Sequence, residues 1–240
     1  MSITLNVDRI GNITSSQISK CMTNGKGPGG IGAPALTYLE EVNLERKLGR
    51  CIKTDVYTKP MAWGTFLENH VHNLLPFEYE NVSKQTAVHP LYNFWAGSTD
   101  MIVTDKKIGE LKCYEPKHFA QYTDSLLTEK IGVIKKNCAE EYWQLVSNAI
   151  INGVPNAEAI AYMPYLSELE TIRALADDYD GMDQWKYRFI AESPDENLPY
   201  LPDGGYYKNL NRFEFKVPQE DIDALTDRMK FIETLLIERK

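Results

Sequence analysis

Residues 97–113 constrain this chain more than any other stretch. Asp100 is followed, after nine residues, by Glu110-Leu111-Lys112 in an apolar, alternating context. Asp105-Lys106-Lys107 in the spacer is a natural hairpin tip. Strand side chains repeat every second residue, so Glu110 and Lys112 face the same side of one strand. The hairpin brings Asp100 alongside them. Two carboxylates and one ammonium in one small pocket suit phosphodiester hydrolysis on magnesium. The acids hold a hard cation, and the lysine supplies fixed positive charge where the transition state gains negative charge.

A length of 240 residues with 43% hydrophobic and 25% charged content is expected to form one domain over 1–240, with a sizeable core. No apolar run is long enough to span a bilayer, and the N-terminus lacks a basic-then-apolar leader. The expected compartment is the cytoplasm. Cys21, Cys51, Cys113 and Cys138 are widely spread and read as free thiols, not as a zinc, redox or iron–sulfur set.

The net charge of −8 is unevenly placed. Residues 1–60 carry eight Lys/Arg against five Asp/Glu, whereas residues 131–240 carry twelve against twenty. A basic N-terminal third can meet phosphate while the acidic part faces away; the plainer reading is solvated surface charge.

The periodicities predict an α/β chain with a mixed sheet flanked by helices. Helices are expected from Thr14 or Ser15 to Met22, from Pro34 to Leu48 with a stop at Gly49, from Pro60 to Leu75, from Pro116 to Leu127, from Ala139 to Ile151, and from Pro218 to Arg239. Strands are expected at Thr86–His89, Phe94–Val103, Ile108–Cys113, Ala157–Met163, Trp185–Ile190 and Arg212–Val217, with the all-apolar Ala157–Met163 central. Residues 192–211 read as a loop. The glycine-dense segment Asn24–Gly32 neither follows a strand nor ends in Gly-Lys-Ser/Thr, which sets aside a dinucleotide fold and a P-loop.

The Asp100/Glu110/Lys112 set resembles the PD-(D/E)xK nuclease signature. Gly64-Thr65-Phe66-Leu67-Glu68 matches the Gly-x-x-x-Glu element that brings a further carboxylate to the metal. Gln144, in Tyr142-Trp143-Gln144-Leu145, falls where the superfamily places a glutamine near the active site. Arg9-Ile10-Gly11-Asn12-Ile13-Thr14-Ser15-Ser16, the glycine-rich loop, Tyr38-Leu39-Glu40-Glu41 and Met61-Ala62-Trp63-Gly64 resemble the lambda-exonuclease-like, YqaJ-type viral recombinase family. The resemblance covers roughly residues 9–163, leaving 164–240 as a C-terminal extension with a closing helix. Thr99 and Met101 flank Asp100 where the family often has Pro and Gly. The family's N-terminus also reaches further upstream of Arg9.

The resemblance implies a PD-(D/E)xK restriction-endonuclease-like core. It implies a 5′→3′ double-strand DNA exonuclease that leaves 3′ single strands for recombination, works on DNA ends as a homotrimeric ring, and hands its product to a single-strand annealing protein. It implies a phage or prophage gene acting in a bacterial cell. By the same resemblance, Glu68, Asp100, Glu110 and the Leu111 carbonyl hold one or two Mg²⁺ or Mn²⁺ ions, and Arg9 and Ser16 bind the 5′-phosphate. A structure-selective or site-specific endonuclease on the same core, or a non-catalytic DNA-binding relative, are the competing expectations.

Taken singly, each residue has a plainer reading. Glu68 is an exposed helix acid, Asp100 a turn cap, Glu110 and Lys112 a surface ion pair, Gln144 an exposed helix polar group, and Ser16 a helix N-cap. His118 has a possible substrate contact. Trp63, Trp95 and Trp143 read as packing residues.

Overall fold

A computed structural model describes residues 9–52 and 57–238. Its centre is a five-stranded mixed sheet of β2 (Glu80–Asn81), β5 (Met101–Val103), β6 (Lys107–Lys112), β7 (Asn156–Tyr162) and β8 (Leu210–Lys216), in the order β2-β5-β6-β7-β8. Only β6 and β7 run parallel. A smaller sheet joins β1 (Ile13–Thr14), β4 (Trp95–Gly97) and β3 (Ala87–Val88), with β4 in the middle.

The parallel step from β6 to β7 is made by α4 (Pro116–Leu127), α5 (Ile131–Asn137) and α6 (Ala139–Asn152). A parallel connection needs such a crossover, and a helix supplies it. Side chains alternate across β7. Ala157, Ala159 and Ala161 pack into one core, and Ile160 and Tyr162 into the other. Three alanines on one face leave room for α6 to lie close to the sheet. The first core also takes α2 (Ala33–Leu48) and α9 (Gln219–Glu233). The second takes α3 (Lys59–His72), α7 (Leu169–Asp177) and α8 (Gln184–Glu192). The short α1 (Ile18–Cys21) buries Ile18 and Cys21 in the first core.

Local signals explain the boundaries. Gly49 ends α2 at φ 64° and Gly153 ends α6 at φ 65°, a left-handed geometry that glycine adopts without steric cost. Thr58 caps α3, its hydroxyl accepting from the Met61 N–H at 3.4 Å. At the hairpin tip Asp105 takes φ 54°, which Asp tolerates better than most residues.

Several expectations are corrected. Residues 185–190 form helix α8, not a strand. Tyr187 and Ile190, three apart, are buried while Trp185 is exposed, and that is a helical period. Residues 94–103 are not one strand. The chain leaves the smaller sheet after Gly97 and enters the larger one at Met101. Gly97, the last residue of β4, packs so tightly that a Cβ there would stand 2.1 Å from Asn148 Oδ1, so only glycine fits. The second long helix ends at His72, before the expected Leu75. The closing helix runs Gln219–Glu233 and stops short of the expected end at Arg239, which itself lies outside the described residues. Helices α5 and α7 and the short β2 were not anticipated. The four cysteines form no disulfide, Cys21 and Cys138 buried and Cys51 and Cys113 half-buried; Trp63, Trp95 and Trp143 are buried, as expected of packing residues. Among the described residues no helix is long and apolar enough to cross a membrane.

Candidate active site

The site forms where β6 outruns its neighbour. Strand β5 pairs with β6 only as far as Met101 opposite Gly109, so Glu110, Leu111 and Lys112 extend past it. The Leu111 N–H on that open edge donates to Asp100 Oδ2 at 2.7 Å. In an extended strand the N–H and C=O of one residue point to the same edge. The Leu111 carbonyl therefore faces the same side as the Asp100 carboxylate. Asp100 reaches across to the neighbouring strand, which is more than a local turn cap does.

Glu110 is 1% exposed, which excludes the surface-pair reading. Its side chain points toward α6, as alternation requires. Gln144 Nε2 donates to Glu110 Oε2 at 2.8 Å, and the Asn148 side-chain amide donates to Glu110 Oε1. Lys112 Nζ donates to Gln144 Oε1 at 3.2 Å and stands 3.8 Å from Glu110 Oε2. Gln144 thus holds the acid through its amide NH₂ and the lysine through its carbonyl, so it is not an idle surface group.

Glu68 arrives from the other face of the sheet. Helix α3 buries Trp63, Phe66, Leu67 and Val71 in the second core. Gly64 lies beside the end of β6, where an added Cβ would sit 3.5 Å from the Cys113 carbonyl. One turn further on, Glu68 is half-buried and within electrostatic reach of Asp100 and Lys112.

The electrostatics are unbalanced. Burial and the Asp100 charge push Glu68 up to about 7, against a pull downward from Lys112. Burial likewise raises Asp100, and burial with the neighbouring Asp100 charge raises Glu110 well above the usual carboxylate range. Burial alone would lower Lys112, but Glu110 and Asp100 outweigh it and keep the ammonium charged. Three carboxyls thus face one ammonium, and ionising all three leaves two negative charges that Lys112 does not balance.

Among the described residues no three His, Cys, Asp or Glu side chains close into a ready-made metal cage. The donor set nevertheless fits a hard divalent cation. Glu68 and Glu110 both feel the charge of Asp100, a repulsion that a bound divalent cation relieves. A divalent cation carries the charge the cluster lacks.

Glu68, Asp100 and Gln144 line a cleft of about 540 Å³, and Arg9 and Ser16 line the same cleft. Arg9 Nη2 reaches Ser16 Oγ at 3.5 Å, and both residues are exposed. Their segment is well anchored. The Thr14 N–H donates to the Tyr38 hydroxyl at 2.9 Å, Arg46 Nε to the Gly11 carbonyl at 2.7 Å, and the Gly11 N–H to Glu45 Oε2 at 3.0 Å. Ser16 lies within a 3₁₀ turn, Ser15–Gln17, and is not its N-cap. His118 does not line the cleft; it packs edge-on against Tyr114 elsewhere.

Asn148 was missed in the sequence. It donates to both Glu110 and the Ser98 carbonyl, tying the loop before Asp100 to the acid on β6. The available signal was its spacing: four residues after Gln144, it lies on the same helix face.

A model of the YqaJ-like viral recombinase domain matches residues 6–155. Solved structures of similar shape include an alkaline exonuclease from Laribacter hongkongensis (LHK-Exo). It is 16% identical, with a TM-score of 0.56 over 94% of this chain and 90% of that one. LHK-Exo in complex with dAMP gives 17% identity and a TM-score of 0.55 over 95% and 93% of the two chains. A phage related exonuclease from Haemophilus somnus 129PT is 15% identical, with a TM-score of 0.58 over 93% of this chain and 92% of that one. At these identities the likeness establishes the fold. Among curated proteins no matching relative was found.

Proposed function

This chain belongs to the YqaJ-like viral recombinase family, and from that premise we propose that it is a divalent-cation-dependent deoxyribonuclease. It digests one strand of duplex DNA from the 5′ end and leaves a 3′-ended single strand for recombination. The observation that carries this reading is the convergence of Asp100, Glu110 and Lys112 on one strand end, where burial raises both carboxyls. The exonuclease folds of LHK-Exo and the H. somnus protein agree with it.

Glu68, Asp100, Glu110 and the Leu111 carbonyl would hold Mg²⁺ or Mn²⁺. When bound, the cation supplies an acidified water and neutralises phosphate charge. The protein's own groups do the rest. Lys112, fixed by Gln144 Oε1 at 3.2 Å, places an ammonium beside the phosphate oxygens as they gain charge. Gln144 and Asn148 hold Glu110 in one orientation. Arg9 and Ser16 grip the terminal 5′-phosphate, the guanidinium with paired N–H groups and the hydroxyl with one more. Water oxygen bonds to the phosphorus between the first and second nucleotides, the P–O3′ bond breaks, and the leaving O3′ takes a proton. The first nucleotide departs as a 5′-monophosphate. The shortened strand again ends in a 5′-phosphate, ready for Arg9 and Ser16. Ring assembly around DNA as a homotrimer, action in the bacterial cytoplasm from a phage or prophage gene, and transfer of product to an annealing protein complete the proposal.

The test is purified protein with Mg²⁺ on linear and circular duplex DNA, each linear strand labelled at its 5′ end. Release of labelled mononucleotides from linear DNA alone is expected. Cutting of closed circles would assign an endonuclease instead, and no cutting of either would refute the nuclease reading.

A further inference from the structure

The cleft also has an apolar wall built by residues beyond those matched to the family. Leu175, on α7, is 46% exposed and lines it, and so do Tyr179, just past α7, and Tyr187 of α8. Tyr179 and Tyr187 meet at right angles with centroids 5.1 Å apart. Phe66 of α3 backs both, at 6.5 Å from Tyr179 and 5.1 Å from Tyr187. The wall is joined to the catalytic end, since Tyr187 lies close enough to feel the charge of Glu68.

We propose that Tyr179 and Leu175, backed by the buried Tyr187, form a stacking wall for the base of the 5′-terminal nucleotide; this rests on the exonuclease reading above. Within that reading, Arg9 and Ser16 hold the terminal phosphate and Glu68 and Asp100 face the scissile one. These two phosphates bracket a single nucleotide, so one base must lie between them. Charge decides what meets the wall. Asp177, Asp178, Asp180 and Asp183 flank Tyr179 along the chain, all exposed, and Asp183 lines the cleft itself. Such a run repels a phosphate backbone but not an uncharged base. The cations that line the cleft, Arg9 and Lys84, come from other segments. Every base has a π-face, so the wall accepts all four and suits a nuclease indifferent to sequence.

The test is equilibrium binding in Ca²⁺, with 5′-phosphorylated duplexes whose terminal nucleotide is either intact or abasic. The wild type is expected to bind the intact end about tenfold more tightly. Tyr179→Leu, which keeps bulk but removes the ring, and Leu175→Ala, at an exposed position, are each expected to shrink that preference several-fold. Neither should change affinity for the abasic end. Equal binding of both ends by the wild type, or an undiminished preference in both variants, would overturn the wall. Cleavage in Mg²⁺ is scored separately. A base preference without cleavage would count against the nuclease reading and still support the wall.

Discussion

Two buried acid clusters occupy neighbouring strands of one sheet and end in opposite electrostatic states. On β7, Glu158 accepts from Arg212 Nε at 2.6 Å and from the Tyr79 hydroxyl at 2.6 Å, and pairs with Lys107 Nζ at 2.8 Å. Lys107 also pairs with Glu214 at 2.6 Å. Two carboxylates meet two cations there. Burial pushes Glu158 up, but Arg212, Lys107 and Tyr79 outweigh it and hold the acid below its ordinary value. On β6, Glu110 is as deeply buried, yet among the described residues Lys112 is the cation that answers Glu68, Asp100 and Glu110, and all three carboxyls are raised. The difference separates a finished structural network from an incomplete one. Burial is common to both clusters; what sets the β6 acids apart as candidates is that the fold leaves their carboxyls raised.

Exchanging roles between the clusters is the sharpest way to break this comparison. Lys112→Ala is expected to lower the cleavage rate by roughly 10³-fold with DNA affinity within about threefold of wild type, because the lysine acts on charge that develops during the reaction. Single-turnover cleavage and filter binding separate the two effects. Near-normal cleavage would remove Lys112 from the chemistry.

Glu158→Ala should do the reverse. It leaves Lys107 and Arg212 facing each other over a buried gap and is expected to cost about 3 kcal/mol of stability, low in the usual range because Arg212 is one-third exposed. Denaturant unfolding reads the loss. Cleavage per folded molecule should stay within about twofold of wild type, and a large drop would place Glu158 in the functional machinery.

Arg9→Ala is expected to slow digestion of 5′-phosphorylated duplex about tenfold more than 5′-hydroxyl duplex, consistent with the loss of one charge-assisted phosphate contact. Equal slowing would sink the phosphate pocket.

The smallest effect is a pair of opposed pH slopes. Glu158 has a lowered folded value, so its contribution is present above the ordinary 4.5 and is lost as pH falls through the folded value. Glu68 has a raised one. In metal-free protein its ionisation works against folding, so stability falls as pH climbs from 4.5 toward about 7. Melting temperatures of wild type and Glu68→Gln from pH 4 to 8 test this. The variant should show a shallower decline between 4.5 and 7, the remainder coming from the raised Asp100 and Glu110 carboxyls, and an identical profile would show that Glu68 does not titrate as described.

The contrast also shows what was legible in the sequence. Glu110 and Lys112 were readable because alternation along one strand sets their faces without knowledge of the rest of the fold, and the hairpin tip at residues 105–107 returns that strand beside Asp100. Pro116–Leu127 carried a proline start and a helical period, and it formed as expected. Trp185–Ile190 misled because its aromatics look strand-like, and only packing against α3 and α7 reveals the three-residue period. Phe94–Val103 looked continuous because nothing local marks the crowding of Gly97 against Asn148. Asn148 itself gave little signal, since an amide on a helix is ordinary until a buried carboxylate stands opposite. The Glu158 network was equally silent, its partners being 51, 54 and 79 residues away along the chain.

Titration of metal-free protein with Mn²⁺ at pH 7, by calorimetry in two buffers of different ionisation enthalpy, bears most directly on the surplus charge around Glu110. Saturable binding with release of protons is expected, abolished in Asp100→Asn and unaffected in Glu158→Gln. No saturable binding, or binding that Asp100→Asn leaves intact, would contradict a cation site at this strand end.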